Sequence, residues 1–124
     1  MTDDDIPGLY IHIPFCRTKC NYCGFYSSTA LAQVPDFLLA LGKEMDLYRR
    51  DFSTFDTIYI GGGTPSVLSV KDLAFILAGV ADKFNISPES EITLEANPGD
   101  VSLPLLQDFR RLGINRLNLG IQSF

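Results

Sequence analysis

The chain's only three cysteines, Cys16, Cys20 and Cys23, stand within eight consecutive positions of the stretch GLYIHIPFCRTKCNYCGFYS. The thiolate is the form of cysteine that binds metal, and the spacing C-x3-C-x2-C lets three of them converge on one centre while a short loop wraps it. Three thiolates leave one iron of a 4Fe-4S cluster without a protein ligand, whereas ordinary electron-carrying clusters use four cysteines. An open iron points to ligation of a substrate or cofactor. Arg17 and Lys19, between the thiols, would offset the negative charge of such a cluster, or stand simply as exposed loop cations. The competing centre is a structural zinc site completed by His12, but zinc ligands usually come in separated pairs. His12 reads better as an inward-facing packing residue.

A loop of this kind works only if regular elements hold its ends. Residues 8 to 14 (GLYIHIP), 57 to 62 (TIYIGG), 91 to 96 (EITLEA) and 116 to 122 (RLNLGIQ) are short, β-branched or aliphatic and end in turn residues, so they predict four strands. Helical periodicities lie between them. Leu38, Leu41, Met45 and Tyr48 mark the first, after Pro35. Leu73, Ile76, Leu77, Val80 and Phe84 make the second, opened by Ser69 with Asp72 three residues later. Leu105, Phe109 and Leu112 form the third, with Ser102 as N-cap and Gly113 as C-terminal stop. The order β-α-β-α-β-α-β predicts an α/β fold with parallel strands.

Strand alternation decides between a doubly wound sheet and a barrel. Leu9, Ile11 and Ile13, then Ile58 and Ile60, then Ile92, Leu94 and Ala96, then Leu117, Leu119 and Ile121 share the face expected to meet the helices. The other face carries Tyr10 and His12, Tyr59 and Gly61, Thr93 and Glu95, and Asn118, Gly120 and Gln122. A parallel sheet covered on both faces reads as near-continuous apolar runs. This one is polar or small on one side, as expected of a wall curling around a polar lumen. A complete (β/α)8 barrel needs about 250 residues, so the reading is the N-terminal part of a partial TIM-like barrel, ending in strand four. The cysteine loop then leaves the C-terminal end of the first strand, the end where barrel sites assemble.

Three further stretches reach that end. YIGGGTPSVLS (59 to 69) runs a strand into three glycines, which let backbone approach a ligand and present its N–H groups. In TLEANPGD (93 to 100), Glu95 can accept hydrogen bonds from an amine or a ribose, and Asn97-Pro98-Gly99 makes the turn. In NLGIQSF, Gln122 takes the matching place on the fourth strand. Composition narrows the partners. With 124 residues, 46% of them hydrophobic, the chain is a globular sequence, and its net charge of -5 argues against a nucleic-acid surface. The start MTDDDIPG has no basic or apolar signal region, and no apolar run approaches the roughly 18 residues of a membrane span. A cytoplasmic setting, with reduced thiols, is the expectation.

Taken together, IHIPFC, the cysteine triplet, GGGTP, LEANPG and GIQSF resemble the radical S-adenosylmethionine (SAM) superfamily, in particular its oxygen-independent coproporphyrinogen III oxidase-like group, over nearly the whole chain. The resemblance implies a radical SAM core domain of which residues 1–124 are the N-terminal portion. It implies a 4Fe-4S cluster on Cys16, Cys20 and Cys23, with the amine and carboxylate of SAM closing the open iron. Tyr10, Tyr22, Gly62 and Glu95 match positions lining the SAM site; Gly63, Thr64 and Gln122 match positions contacting a second SAM in relatives that bind two. One electron passed into the sulfonium would release methionine and a 5'-deoxyadenosyl radical. Porphyrinogen-oxidising members resemble C-x3-C-x2-C-x-C, but Phe25 stands at that last position here, and Cys23-Gly24-Phe25 with LEANPG is similar to the heme chaperone (HemW-type) branch. The implied partners are heme or a porphyrinogen, an electron donor such as flavodoxin or ferredoxin, and heme-accepting apoproteins. Heme itself would be ligated by residues outside this chain. Coproporphyrinogen III oxidation and a zinc-binding structural module stand as the alternatives.

Overall fold

The computed structural model describes residues 6–14, 33–51, 54–62, 68–96 and 98–119. Four strands alternate with three helices: β1 (Gly8–Ile13), α1 (Val34–Tyr48), β2 (Thr54–Gly62), α2 (Val70–Lys83), β3 (Asn85–Ala96), a 3-10 turn (Pro98–Asp100), α3 (Leu103–Arg111) and β4 (Arg116–Leu119). All neighbouring strands are parallel and the sheet order is β1-β2-β3-β4. Each strand therefore lies beside the one before it, with no reversal of order. A doubly wound sheet reverses at a switch point; a barrel wall does not.

Local sequence explains where the helices start and stop. Pro35 opens α1, where its missing N–H costs nothing. Ser69 caps α2, its Oγ accepting from the Asp72 N–H at 3.0 Å, with Asp72 in the first turn and Lys83 in the last, both favourable to the helix dipole. Ser102 caps α3 in the same way, accepting from the Leu105 N–H at 3.3 Å. That helix ends at Gly113, whose φ of +100° suits glycine and lets the Ile114 N–H turn back to the Phe109 carbonyl at 3.0 Å.

One apolar layer joins helices and sheet. Ile11, Ile13, Ile58, Ile60 and Leu94 meet Leu38, Met45, Leu73, Ile76, Val80 and Phe109 in a single buried cluster. The apolar face expected from sequence is buried in β1, β2 and β3, with Leu9 and Ile92 partly so. In β4 Leu117 is half-buried and Leu119 exposed, because β4 is the last described strand of the sheet; Ile121 lies outside the described residues.

Two strands begin earlier than the sequence suggests. β2 starts at Thr54 and β3 at Asn85, paired with each other, with Phe55 beside Ile86. Buried Phe55 and Phe84 pack edge to face at 4.9 Å, and this aromatic pair anchors the extension. The signal is masked in the sequence because the ladder slips at once: Phe55 pairs with Ile86 but Thr57 with Glu91, so Ser87 to Ser90, including Pro88, stand opposite Asp56. Asn115 stitches this irregular stretch, its side chain accepting from the Ile92 N–H at 2.8 Å and donating to the Ser90 carbonyl at 2.9 Å. Among the described residues no helix is long and apolar enough to cross a membrane.

Candidate functional site

The helix-free face of the sheet collects the polar half of each strand's alternation. Tyr10 lies beside Tyr59, His12 beside Gly61, Tyr59 beside Thr93, and Glu95 beside Asn118. Tyr10 stacks on Tyr59, ring centroids 5.7 Å apart at 21°, while remaining 56% exposed. His12 is exposed, its ring 6.2 Å from that of Tyr10, rather than packed inside as its position in the sequence suggests. Across the ladder it faces Gly61, which has no side chain to pack against it.

Glu95 is the centre of the arrangement. Its Oε1 accepts from the backbone N–H of Gly62 at 3.0 Å, and its Oε2 accepts from the Tyr59 hydroxyl at 2.6 Å. The Asn118 side-chain amide donates to that same hydroxyl at 2.7 Å. Three strands thereby hold one carboxylate. Both of Glu95's hydrogen-bond donors here, a backbone N–H and a phenol, are neutral groups. A carboxylate has about four acceptor directions; the described residues use two.

The glycines make this possible, each in its own way. A Cβ at Gly61 would stand 2.8 Å from Glu95 Oε1 and 2.8 Å from a Tyr59 ring carbon, so the missing side chain is the space the carboxylate fills. Gly62 has a φ of +117°, and a Cβ there would come within 2.5 Å of the Ile13 carbonyl oxygen. Its conformation turns the N–H toward Glu95 while β1 and β2 stay in register.

The electrostatics follow from the same contacts. The Tyr59 phenol is held above its ordinary value, chiefly because it donates to Glu95; the donation from Asn118 opposes this, and burial and the nearby negative charge add to it. Tyr59 is therefore a neutral hydrogen-bond donor throughout the neutral range.

Of the site residues expected from sequence, Tyr10, Gly62 and Glu95 lie on this face or at its end, with Gly62 and Glu95 in direct contact. Cys16, Cys20, Cys23, Tyr22, Gly63, Thr64 and Gln122 lie outside the described residues. Tyr59 and Asn118 were not singled out by the sequence. Alternation places both on the polar face, but only the register shows that they meet each other and Glu95.

A parallel sheet with sequential strand order, helices on one side and a held carboxylate on the other agrees with what the rest of the chain matches: residues 10–124 fit the radical SAM superfamily, and the chain belongs to it. Within the superfamily its sequence is similar to curated heme chaperones named HemW. It is 42% identical over 120 residues to that of Escherichia coli, covering 94% of this chain and 32% of the relative. To that of Mycobacterium tuberculosis it is 43% identical over 122 residues, covering 94% of this chain and 31% of the relative. The solved structure of coproporphyrinogen III oxidase (HemN) from Escherichia coli, a radical SAM enzyme, matches with a TM-score of 0.82 and 30% identity, over 96% of this chain and 29% of that one. The chain thus spans about a third of the length of the curated relatives it matches, and its four-stranded sheet is part of a radical SAM TIM-like barrel.

Proposed function

We propose that residues 1–124 form the N-terminal portion of a radical SAM core that carries a 4Fe-4S cluster on Cys16, Cys20 and Cys23 and binds SAM, in a cytoplasmic protein that acts as a heme chaperone. The observation that carries the SAM reading is the Glu95 carboxylate, aimed by Gly62 and Tyr59, with two of its acceptor directions not taken by the described residues. Those spare directions suit an amine or a pair of ribose hydroxyls. Tyr10, stacked on Tyr59 and largely exposed, offers a flat apolar surface beside them. Tyr22 and Gly62 complete the proposed contacts, and Gly63, Thr64 and Gln122 those of a second SAM. When bound, the cluster and SAM together supply one-electron chemistry that belongs to the cofactor; the protein binds, orients and excludes water.

Support for the chaperone comes from the HemW relatives and from Phe25, which stands two positions after Cys23 where a fourth cysteine would continue the motif. Heme would then be received and passed to apoproteins, with a flavodoxin or ferredoxin as electron donor. Coproporphyrinogen III oxidation is the second reading, favoured by the HemN structural match. The test is incubation of the cluster-loaded, full-length protein with SAM, a reductant and either heme or coproporphyrinogen III. The chaperone reading expects heme binding and transfer to an apo-haemoprotein, with the porphyrinogen propionates intact. Appearance of a decarboxylated porphyrinogen would overturn it in favour of the oxidase.

A further inference from the structure

Among the described residues, Glu95 meets the backbone through Oε1, at the Gly62 N–H. A single hydrogen bond leaves the carboxylate plane free to swing, because the terminal torsion of a glutamate is broad. The contact that stops the swing is the Tyr59 hydroxyl on Oε2, and what aims that hydroxyl is Asn118. A phenol has one proton. Glu95, as a carboxylate, can only accept, so the proton must lie on the 2.6 Å contact to Oε2. The 2.7 Å contact to Asn118 is then satisfied only by the amide N–H2 group donating to the phenol oxygen. Were the amide turned over, its carbonyl would compete with Glu95 for the same proton. The donations therefore run one way, from β4 through β2 to β3. The Tyr59 ring is steadied separately by its stack on Tyr10.

We infer that Tyr59 and Asn118 form a directional relay that positions the Glu95 carboxylate for SAM, Tyr59 acting through Glu95 and Asn118 acting through Tyr59. The inference rests on the SAM-binding reading above and adds to it two positioning residues. It assigns them an order: Asn118 matters only while the Tyr59 hydroxyl is present. A merely structural role would give no such dependence, since Asn118 is exposed and Tyr59→Phe keeps the ring and its stack.

The experiment is a double-mutant cycle on the cluster-loaded protein, titrating SAM itself and reading its effect on the EPR signal of the reduced cluster. Cluster content and thermal unfolding are measured beside it for every variant. Tyr59→Phe is expected to weaken SAM binding roughly ten-fold, the scale of one hydrogen bond to a charged group. Asn118→Ala should weaken it roughly three-fold, the scale of a neutral one. The double variant should match Tyr59→Phe alone. Should Tyr59→Phe lose its cluster or its fold, Asn118→Ala carries the test, and an unchanged SAM titration there overturns the relay. Parent-like binding in both single variants, or losses that multiply in the double variant, also overturns it while leaving the SAM reading in place. A parent protein whose cluster signal ignores SAM defeats the SAM reading, and the relay with it.

Discussion

At the scale of single residues, Glu95 and Tyr59 report on each other. Glu95→Ala should leave the cluster intact but weaken SAM binding by about 1.5 to 3 kcal/mol, the value of a hydrogen bond to a charged group; SAM titration at limiting concentration measures it, and an unchanged affinity would remove Glu95 from the site. The pH dependence follows from the raised Tyr59 ionisation. Below the ordinary phenol value the proton is present in folded and unfolded chains alike, and the contact contributes its full stability. Between that value and the raised one, only the folded chain keeps the proton. The contribution is lost as pH rises through the folded value. Tyr59's share of stability should thus be flat across neutral pH and fall only in strong alkali. Because the hydrogen bond to Glu95 is the largest cause of the rise, Glu95→Gln should let the phenol ionise at lower pH, seen as phenolate absorbance missing from the matching Tyr59→Phe variant. No movement on Glu95→Gln would mean the 2.6 Å contact does not persist in solution.

At the scale of elements, the glycines at the end of β2 separate support of the fold from support of the site. Gly62→Ala forces a side chain into a positive-φ conformation and against Ile13 backbone. The backbone strain alone costs of order 1–3 kcal/mol, so a lowered thermal midpoint is expected. Gly99→Ala, where a Cβ meets nothing within 4 Å, is the control and should be close to neutral. Equal midpoints for the two variants would contradict the packing of Gly62 against β1. The elements were the most legible part of the sequence, since period-2 alternation separates the faces of β1 to β4 and Ser69, Ser102 and Gly113 mark helix ends. Pairing was much less so. The Phe55–Phe84 contact that lengthens β2 and β3 is hidden by the polar, proline-containing run from Ser87 to Ser90. For the same reason Glu95 could be picked out as a carboxylate at a strand end, while Tyr59 and Asn118, from strands on either side of it, could not. A side chain's face is written locally; its partner depends on register across the sheet.

At the scale of the whole molecule, β1 and β4 are the outer strands of the sheet among the described residues, each with a recess beside it. One of about 360 Å³ is lined by Leu9, Phe37, Leu41, Met45 and Phe84 next to β1. Another of about 360 Å³, of mixed character, is lined by Leu106, Phe109, Ile114 and Leu117 together with Arg110, Asn115 and Arg116 next to β4, where Leu119 is also exposed. Unpaired edges and apolar hollows are templates for association. On the reading that these residues are one portion of a larger core, the 124-residue chain made alone should self-associate and bind SAM weakly. Light scattering and a SAM titration, beside a version extended to the length of the relatives, check this. A sharp monomer with cooperative unfolding and the affinity of the longer version would contradict it. The central claim, that Cys16, Cys20 and Cys23 hold a cluster to which SAM binds, is tested most directly on the full-length protein. The measurement is anaerobic iron-sulfide reconstitution followed by iron analysis, a visible spectrum and EPR with and without SAM, on the parent and on Cys20→Ala. The account predicts a 4Fe-4S signal that SAM alters in the parent, and loss of the iron-sulfur absorbance in Cys20→Ala, since two thiolates cannot hold the cluster as three do. The same iron content and spectrum in Cys20→Ala, or a parent signal indifferent to SAM, would contradict it.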